Sequence, residues 1–330
     1  MINLRPLGTL GITVSEVSFG GAAISGEGRG YGFGHIGDEE AAALLAECFD
    51  RGINLFDTAP VYGFGISEKR IGRAFHENRD RVIIVSKGGI VWDDRKRIKI
   101  DIHPKVMQKM LEKSLQDLQT DYIDLYMIHW PDKNIDIRRP MEYLSRAKEE
   151  GKIRAIGLCN AGCEDINGAG EIDTVDVVQN EFNLFNSAAF NDIRELLRNK
   201  NAGFLSWGTL DKGILTGRVT PERAFDDADA RSWAPWWKHE DRTPKYRSME
   251  KIAALLNETG HSALELALGY VLQYSEVSAA LCGMRNTGQL ATALNALEHL
   301  PQKDILKEAK AIADETMKTC HQEREKDGQR

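Results

Sequence analysis

Residues 123–158 read IDLYMIHWPDKNIDIRRPMEYLSRAKEEGKIRAIGL, and this stretch predicts a strand, a helix and a second strand. The apolar run Ile123–His129 predicts a buried strand, and Pro140–Glu150 predicts a helix that ends at Gly151. A second apolar run, Ile153–Leu158, follows directly. Because parallel strands need a long crossover between them, a strand–helix–strand order is typical of a parallel β/α unit.

The same alternation of short apolar runs and longer helical patterns covers most of the chain. Besides the two above, the predicted strands are Val14–Phe19, Asn54–Asp57, Val82–Lys87, Val175–Glu181, Gly203–Trp207 and Ser278–Cys282. The other predicted helices are Asp38–Arg51, Ser67–Phe75, Pro104–Leu118, Glu164–Asn167, Ala188–Lys200, Ser248–Glu258, Ser262–Gln273 and Gly288–Leu297. Eight strand–helix units are typical of a closed (β/α)8 TIM barrel, because the inward side chains of eight strands fill its interior.

Segments outside the repeating units complete this prediction. Leu7–Gly11 indicates a small N-terminal β-hairpin, and we expect long βα loops at the C-terminal face of the barrel. Residues 301–318 predict a last helix, and the charged residues from about 319 to 330 predict a frayed tail. The whole chain, residues 1–330, is therefore expected to form a single barrel domain.

One local motif favours a different architecture, an open doubly wound sheet. Residues 32–37, GFGHIG, fit the GxGxxG fingerprint of dinucleotide-binding folds, and Asp57 lies twenty residues beyond the last glycine. That fingerprint needs its glycines in the turn directly after the first strand. Here about a dozen residues separate the motif from the strand, so the closed barrel is the prediction.

Composition excludes several classes of function. The net charge of −7, from 43 basic and 50 acidic residues, argues against a nucleic-acid surface. No stretch approaches the roughly 20 apolar residues of a membrane helix, and the N-terminus lacks the apolar core of a signal peptide. Five cysteines, with Cys159 and Cys163 as a lone CxxxC pair, indicate neither disulfides nor a metal site. We expect a cytoplasmic protein without a bound metal, and no pattern indicates an oligomeric state.

Four polar residues stand at or just beyond the ends of three consecutive predicted strands. They are Asp57, Tyr62, Lys87 and His129. Since the active sites of β/α barrels lie at the C-terminal ends of the strands, these side chains are expected to converge. Each of them alone would more often have a structural role, as a cap, a solvated charge or a packed ring.

Together the four residues match the needs of carbonyl reduction. Hydride delivery to a carbonyl builds negative charge on oxygen, which a proton must neutralise. A phenol has a pKa of about 10, so Tyr62 needs the ammonium of Lys87 to lower that pKa. Asp57 is the expected partner of the buried ammonium, and a neutral His129 is expected to orient the substrate oxygen.

The residues around these four resemble the aldo-keto reductase superfamily. Residues 52–68, GINLFDTAPVYGFGISE, are similar to the signature that holds its aspartate and tyrosine. Residues 85–87, VSK, and 124–131, DLYMIHWP, resemble its lysine and histidine motifs. The resemblance implies a barrel that uses NADPH without a Rossmann domain, with NADH as a weaker alternative. It also implies that Tyr62 is the general acid.

The resemblance extends to the residues that hold the cofactor. Asn160 and Gln179 match positions that hold the nicotinamide carboxamide, and Trp207 resembles the aromatic that stacks on the nicotinamide ring. The other implied cofactor residues are Leu210 and Gly213 at the pyrophosphate and Gly283, Arg285 and Gln289 at the 2′-phosphate. The chain departs from the family pattern at Cys159, usually serine, at Gly208-Thr209, usually Ser-Pro, and at Ala293, usually asparagine.

Three functions fit these residues. The leading hypothesis is an NADPH-dependent reductase of a small-molecule aldehyde or ketone. The alternatives are a nicotinamide-binding sensor subunit with little turnover and a Schiff-base aldolase that uses Lys87. The substrate is left open, although Trp92, Trp130 and Trp236 are candidates for an aromatic pocket wall. Trp236 and Trp237 fit equally well as residues that pack the long loop against the body.

Overall fold

The protein folds as a closed barrel of eight parallel strands, as a computed structural model of residues 2–26 and 30–327 shows. In order around the barrel the strands are β3 (Val17–Gly20), β4 (Leu55–Asp57), β5 (Ile83–Gly88), β8 (Ile123–Ile128), β9 (Ile153–Cys159), β10 (Val177–Glu181), β11 (Gly203–Trp207) and β12 (Val277–Cys282). Parallel pairing of β12 with β3, at Leu281 and Ser18, closes the ring. The predicted TIM barrel is confirmed, and the open sheet suggested by the GxGxxG motif is excluded.

The helices surround this barrel. They are α1 (Asp38–Asp50), α2 (Ile66–Phe75), α3 (Pro104–Leu118), α4 (Arg138–Glu149), α5 (Cys163–Gly170), α6 (Ala188–Lys200), α7 (Ala230–Trp233), α8 (Pro235–Lys238), α9 (Thr243–Thr259), α10 (Ala263–Leu272), α11 (Thr287–Ala296) and α12 (Lys303–Asp327). No helix among the described residues is both long enough and apolar enough to cross a membrane.

Strand alternation divides the core into two parts. Along each strand, every second residue faces the inside of the barrel. Leu55 and Val85 are examples, and they belong to a small cluster formed by these inward-facing side chains. The next residue, such as Phe56 or Ile84, packs in the larger cluster between strands and helices. Inward-facing polar residues therefore meet at the carboxyl ends of the strands.

The ends of the chain differ from the prediction. The predicted first strand divides into β2 (Thr13–Ser15), which pairs with β1 (Leu4–Pro6) in the N-terminal hairpin, and the barrel strand β3. Between them, Glu16 is buried and forms an ion pair with Arg5. The helix predicted to end at residue 318 continues to residue 327, because α12 packs along α9.

Two further differences lie in the βα loops. A second hairpin, formed by β6 (Ile90–Trp92) and β7 (Ile98–Ile100), is not among the predicted elements and includes part of the basic run Arg95–Lys99. The β-branched isoleucines of β7 favour strand pairing over an open loop. Helix α9 begins five residues before the predicted Ser248, with Pro244 in its first turn.

Candidate active site

The barrel brings the four predicted residues to one region of its C-terminal face. Asp57 is the last residue of β4, Lys87 lies near the end of β5, and His129 follows β8 directly. Tyr62 lies in the turn between β4 and α2. The turn is tight because three successive residues, Gly63 to Gly65, have left-handed backbone, including the non-glycine Phe64.

Lys87 and Asp57 form a buried ion pair at the base of the site. The Lys87 side chain is 0% exposed, and its Nζ lies 2.6 Å from Asp57 Oδ1. The same ammonium donates to the Thr58 carbonyl at 2.9 Å, and Gln179 Nε2 donates to Asp57 Oδ1 at 2.8 Å. A buried ammonium needs such partners to keep its charge.

The Tyr62 ring lies near both the Lys87 ammonium and the His129 ring. Lys87 Nζ is 5.2 Å from the centroid of the Tyr62 ring, and the Tyr62 and His129 rings meet edge to face with centroids 5.9 Å apart. Tyr62 is partly exposed, whereas His129 is buried. Phenol, imidazole and ammonium therefore share one small volume at the barrel mouth.

Burial and charge shift the pKa values of these groups in different directions. Burial raises the pKa of Tyr62 above its ordinary value, and Asp57 adds to the rise, while Lys87 opposes it. The expected lowering by Lys87 is thus present but outweighed by burial. Burial, with help from Lys87, holds the pKa of His129 well below its usual range, so the imidazole is neutral. Burial alone would lower the pKa of Lys87, but Asp57 and Tyr62 raise it.

The amide side chains of Asn160 and Gln179 form hydrogen bonds beside the four residues. Asn160 Nδ2 donates to the His129 carbonyl at 3.0 Å, and Trp207 Nε1 donates to Asn160 Oδ1 at 3.1 Å. Cys159 Sγ lies 3.4 Å from Gln179 Oε1 and accepts from Asn160 Nδ2 at 3.2 Å. Burial raises the pKa of the Cys159 thiol to about 12, so this group is not a thiolate.

The loop after β11 continues from Trp207 as a constrained segment. Leu210 and Gly213 are joined by a 2.9 Å backbone hydrogen bond. Gly213 has φ +102°, and a Cβ there would lie 2.7 Å from Val219 Cγ2. Lys212 Nζ is 2.8 Å from Glu181 Oε1. Glycine is therefore required at this point of the loop.

The residues assigned to the 2′-phosphate lie at the start of α11. The Gln289 side chain accepts a 2.8 Å hydrogen bond from the Arg285 backbone, and Gly283 is exposed. The Arg285 guanidinium donates to the His35 carbonyl, and a Cβ at Gly34 would lie 2.9 Å from its Nη1. Glycine at position 34 thus leaves room for the Arg285 guanidinium. Sequence reasoning missed the contact with His35 because it spans 250 residues.

The candidate pocket tryptophans occupy three different environments. Trp92 meets Phe64, two residues from Tyr62, edge to face at 5.2 Å. Trp130 follows His129 and is 41% exposed. Trp236 packs against the cluster of Ile214, Val219 and Trp237, as in the alternative interpretation of the long loop.

Sequence reasoning also missed one aromatic contact between two long loops. Tyr31 packs against a small apolar cluster that Tyr62 also contacts, and its ring lies 5.3 Å from that of Trp233. No local pattern predicts this contact, because it depends on how the loops fold. Among the residues that the structure describes, no group of three or more His, Cys, Asp or Glu side chains is arranged to hold a metal ion.

Comparisons with known proteins identify a family, relatives and solved structures that are similar to this chain. The model of the Aldo/keto reductase family matches residues 16–314. The chain is 32% identical over 284 residues to aldo-keto reductase YhdN of Bacillus subtilis, covering 85% of this chain and 84% of that one. It is 31% identical over 306 residues to the NADH-specific methylglyoxal reductase of Escherichia coli, covering 88% and 92%. Glycerol dehydrogenase from Gluconobacter oxydans has a similar structure, with a TM-score of 0.81, 29% identity and 94% of each chain covered.

Proposed function

Since the chain belongs to the aldo/keto reductase family, we propose that it reduces an aldehyde or ketone to an alcohol with NADPH, using Tyr62 as the proton donor. Membership of this family supports carbonyl reduction in general. The observation that carries the finer proposal is the buried Lys87–Asp57 pair beside the Tyr62 ring. A fully buried ammonium next to a phenol is suited to stabilise a phenolate.

The residues beside the pair fit a nicotinamide cofactor. Asn160 and Gln179 present amide groups, and Trp207 is a partly exposed indole on the strand end next to them. We propose that the two amides hold the carboxamide and that Trp207 stacks on the nicotinamide ring, as the family pattern implies. When bound, the cofactor supplies the hydride.

Arg285 is the basis for proposing NADPH over NADH. The residue is partly exposed, and its Nε is buried without a hydrogen-bond partner among the described residues. A planar, permanently charged fork of donors suits a phosphate group. Leu210 and Gly213 would line the pyrophosphate through backbone groups. The E. coli relative is NADH-specific by name, so NADH is the alternative that a direct comparison must exclude.

We propose a proton path that uses the site's own residues. The Tyr62 hydroxyl donates its proton to the carbonyl oxygen as negative charge develops there. The Lys87 ammonium, held by Asp57, stabilises the resulting phenolate. His129 remains neutral and hydrogen-bonds the same oxygen, which orients the carbonyl. The high pKa of Tyr62 keeps the proton in place until a substrate oxygen accepts it.

The substrate is proposed to be a small carbonyl compound that packs against aromatic side chains. Trp92 lies next to the turn that holds Tyr62, and Trp130 lies next to His129.

All five cysteines are free, and four of them are buried, which supports a reducing compartment such as the cytoplasm.

A panel of aldehydes, ketones and sugars tests the function directly. Oxidation of NADPH and of NADH is followed at equal concentrations with each compound. We expect steady turnover with at least one carbonyl and a preference for NADPH. Tight cofactor binding without turnover on any carbonyl would instead indicate the sensor alternative.

A further inference from the structure

Fully buried side chains of the first turn of α2 form hydrogen bonds to β5 and to the residue that follows β4. This helix begins four residues after Tyr62. Ser67 Oγ accepts a 2.8 Å hydrogen bond from Thr58 Oγ1. Glu68 Oε1 accepts a 2.6 Å hydrogen bond from Ser86 Oγ. Ser67 and Glu68 are both 0% exposed, so these contacts are shielded from water.

The partners of these side chains are direct neighbours of the catalytic ion pair. Thr58 follows Asp57 on the chain, and Ser86 precedes Lys87. Because side chains alternate across a strand, Lys87 faces the inside of the barrel while Ser86 faces α2. A displacement of α2 relative to β5 would therefore move Tyr62 relative to Lys87.

Burying the carboxyl group of Glu68 in this place has a high desolvation cost. Its second oxygen, Oε2, has no hydrogen-bond partner among the described residues, although the Ser114 hydroxyl lies nearby, and Lys113 pairs with Asp117 instead. Burial raises the pKa of Glu68 to about 7. An apolar side chain would avoid this desolvation cost, so packing alone does not account for a carboxyl group here.

We propose that Glu68 is a positioning residue for the reduction, which acts through its hydrogen bond to Ser86. The bond fixes the start of α2 against β5 and so sets the distance between the Tyr62 hydroxyl and the Lys87 ammonium. This inference rests on the proposed function. Misplacing a reacting group by about 1 Å costs on the order of a hundredfold in rate, so the effect belongs to kcat. The proposed cofactor contacts lie on other elements, so the Kd for NADPH is expected to stay unchanged.

Three variants and one control test the positioning role. Glu68→Met keeps the volume and removes the acceptor, whereas Glu68→Gln keeps an acceptor oxygen for Ser86. Ser86→Ala removes the donor with little change in volume. Ser248→Ala is the matched control, because it deletes a buried serine hydroxyl that bonds only within α9.

We expect Glu68→Met and Ser86→Ala to lower kcat by about tenfold to a hundredfold, with the Kd for NADPH within about twofold of the parent. Glu68→Gln should restore most of the rate, and Ser248→Ala should change neither quantity. If Glu68→Met does not fold, Ser86→Ala decides the matter alone.

Parental kcat in Ser86→Ala would overturn the positioning role. So would equal losses in Glu68→Gln and Glu68→Met, or a loss of NADPH binding in step with kcat. The parent and Tyr62→Phe are measured alongside. No turnover in the parent would reject the proposed function, whereas a slow Tyr62→Phe beside a fully active Ser86→Ala would reject only the positioning role.

Discussion

At the scale of single residues, hydrogen bonds fix the position of the Lys87 ammonium. An ammonium has three hydrogens. One is donated to Asp57 and one to the Thr58 carbonyl, which leaves one for the Tyr62 oxygen. Full burial excludes water as a competing acceptor. The ion pair thus holds a positive charge near the Tyr62 phenol, the proposed proton donor.

Arg285 provides a residue-scale prediction about cofactor choice. Arg285→Ala should weaken NADPH binding by roughly tenfold to a hundredfold, because a lost charge-assisted hydrogen bond is worth about 1.5–3 kcal/mol. NADH lacks the 2′-phosphate and should lose much less affinity. Fluorescence titration with both cofactors measures the difference. Equal losses of affinity for NADPH and NADH would show that Arg285 only holds the loop at His35.

Trp207 provides a second residue-scale prediction. Cofactor binding should quench indole emission, and Trp207→Leu should remove a distinct part of that quench. The variant should also bind NADPH more weakly, by about 0.5–1.5 kcal/mol for the lost stacking. Trp130→Leu is the control, since this indole, 41% exposed, is proposed to contact the substrate and not the nicotinamide ring. An unchanged quench in Trp207→Leu would place the nicotinamide elsewhere.

At the scale of elements, the contact between α2 and β5 combines stability with geometry. Helix α2 buries Ser67, Glu68 and Arg70, an unusual set of polar residues for one helix. Arg70 donates to the Ile24 and Ile36 carbonyls of the first βα loop, and Glu68 bonds to Ser86. The helix that follows Tyr62 is therefore fixed on two sides.

Glu68 makes stability depend on pH in a definite direction. Its pKa is raised from the ordinary 4.5 to about 7 in the folded protein, so the folded state binds this proton more tightly. The contribution is complete below about pH 4.5 and is lost as pH rises through 7. It amounts to about 3 kcal/mol at most. Asp117 on α3 raises this pKa and Lys113 lowers it, and Tyr126 on β8 also faces the group.

Glu68→Gln removes this titration. The free energy of unfolding of the parent should therefore fall relative to that of the variant between pH 5 and pH 8. Denaturant unfolding at the two pH values measures the change. The same pH dependence in parent and variant would show that Glu68 does not titrate in this range.

At the scale of the whole molecule, the sequence was most informative where structure is local. Most barrel strands contain a short apolar run, and such runs locate the four candidate catalytic residues at or just beyond the strand ends. The final extent of α12 was not predictable, because it depends on packing against α9. The contacts of Arg285 with His35 and of Tyr31 with Trp233 join distant loops and leave no periodic signal. Glu68 lies within a recognised motif, yet its role appears only from its contact with Ser86.

The carbonyl reduction rate of Tyr62→Phe shows whether the Tyr62 hydroxyl is the proton donor. The variant removes one hydroxyl and leaves the Lys87–Asp57 pair and the amide contacts in place. With a good substrate from the panel, we expect NADPH to bind with parental affinity and the rate to fall by about 10² to 10⁴. Reduction at the parental rate would contradict the account, because the proton would then come from another group.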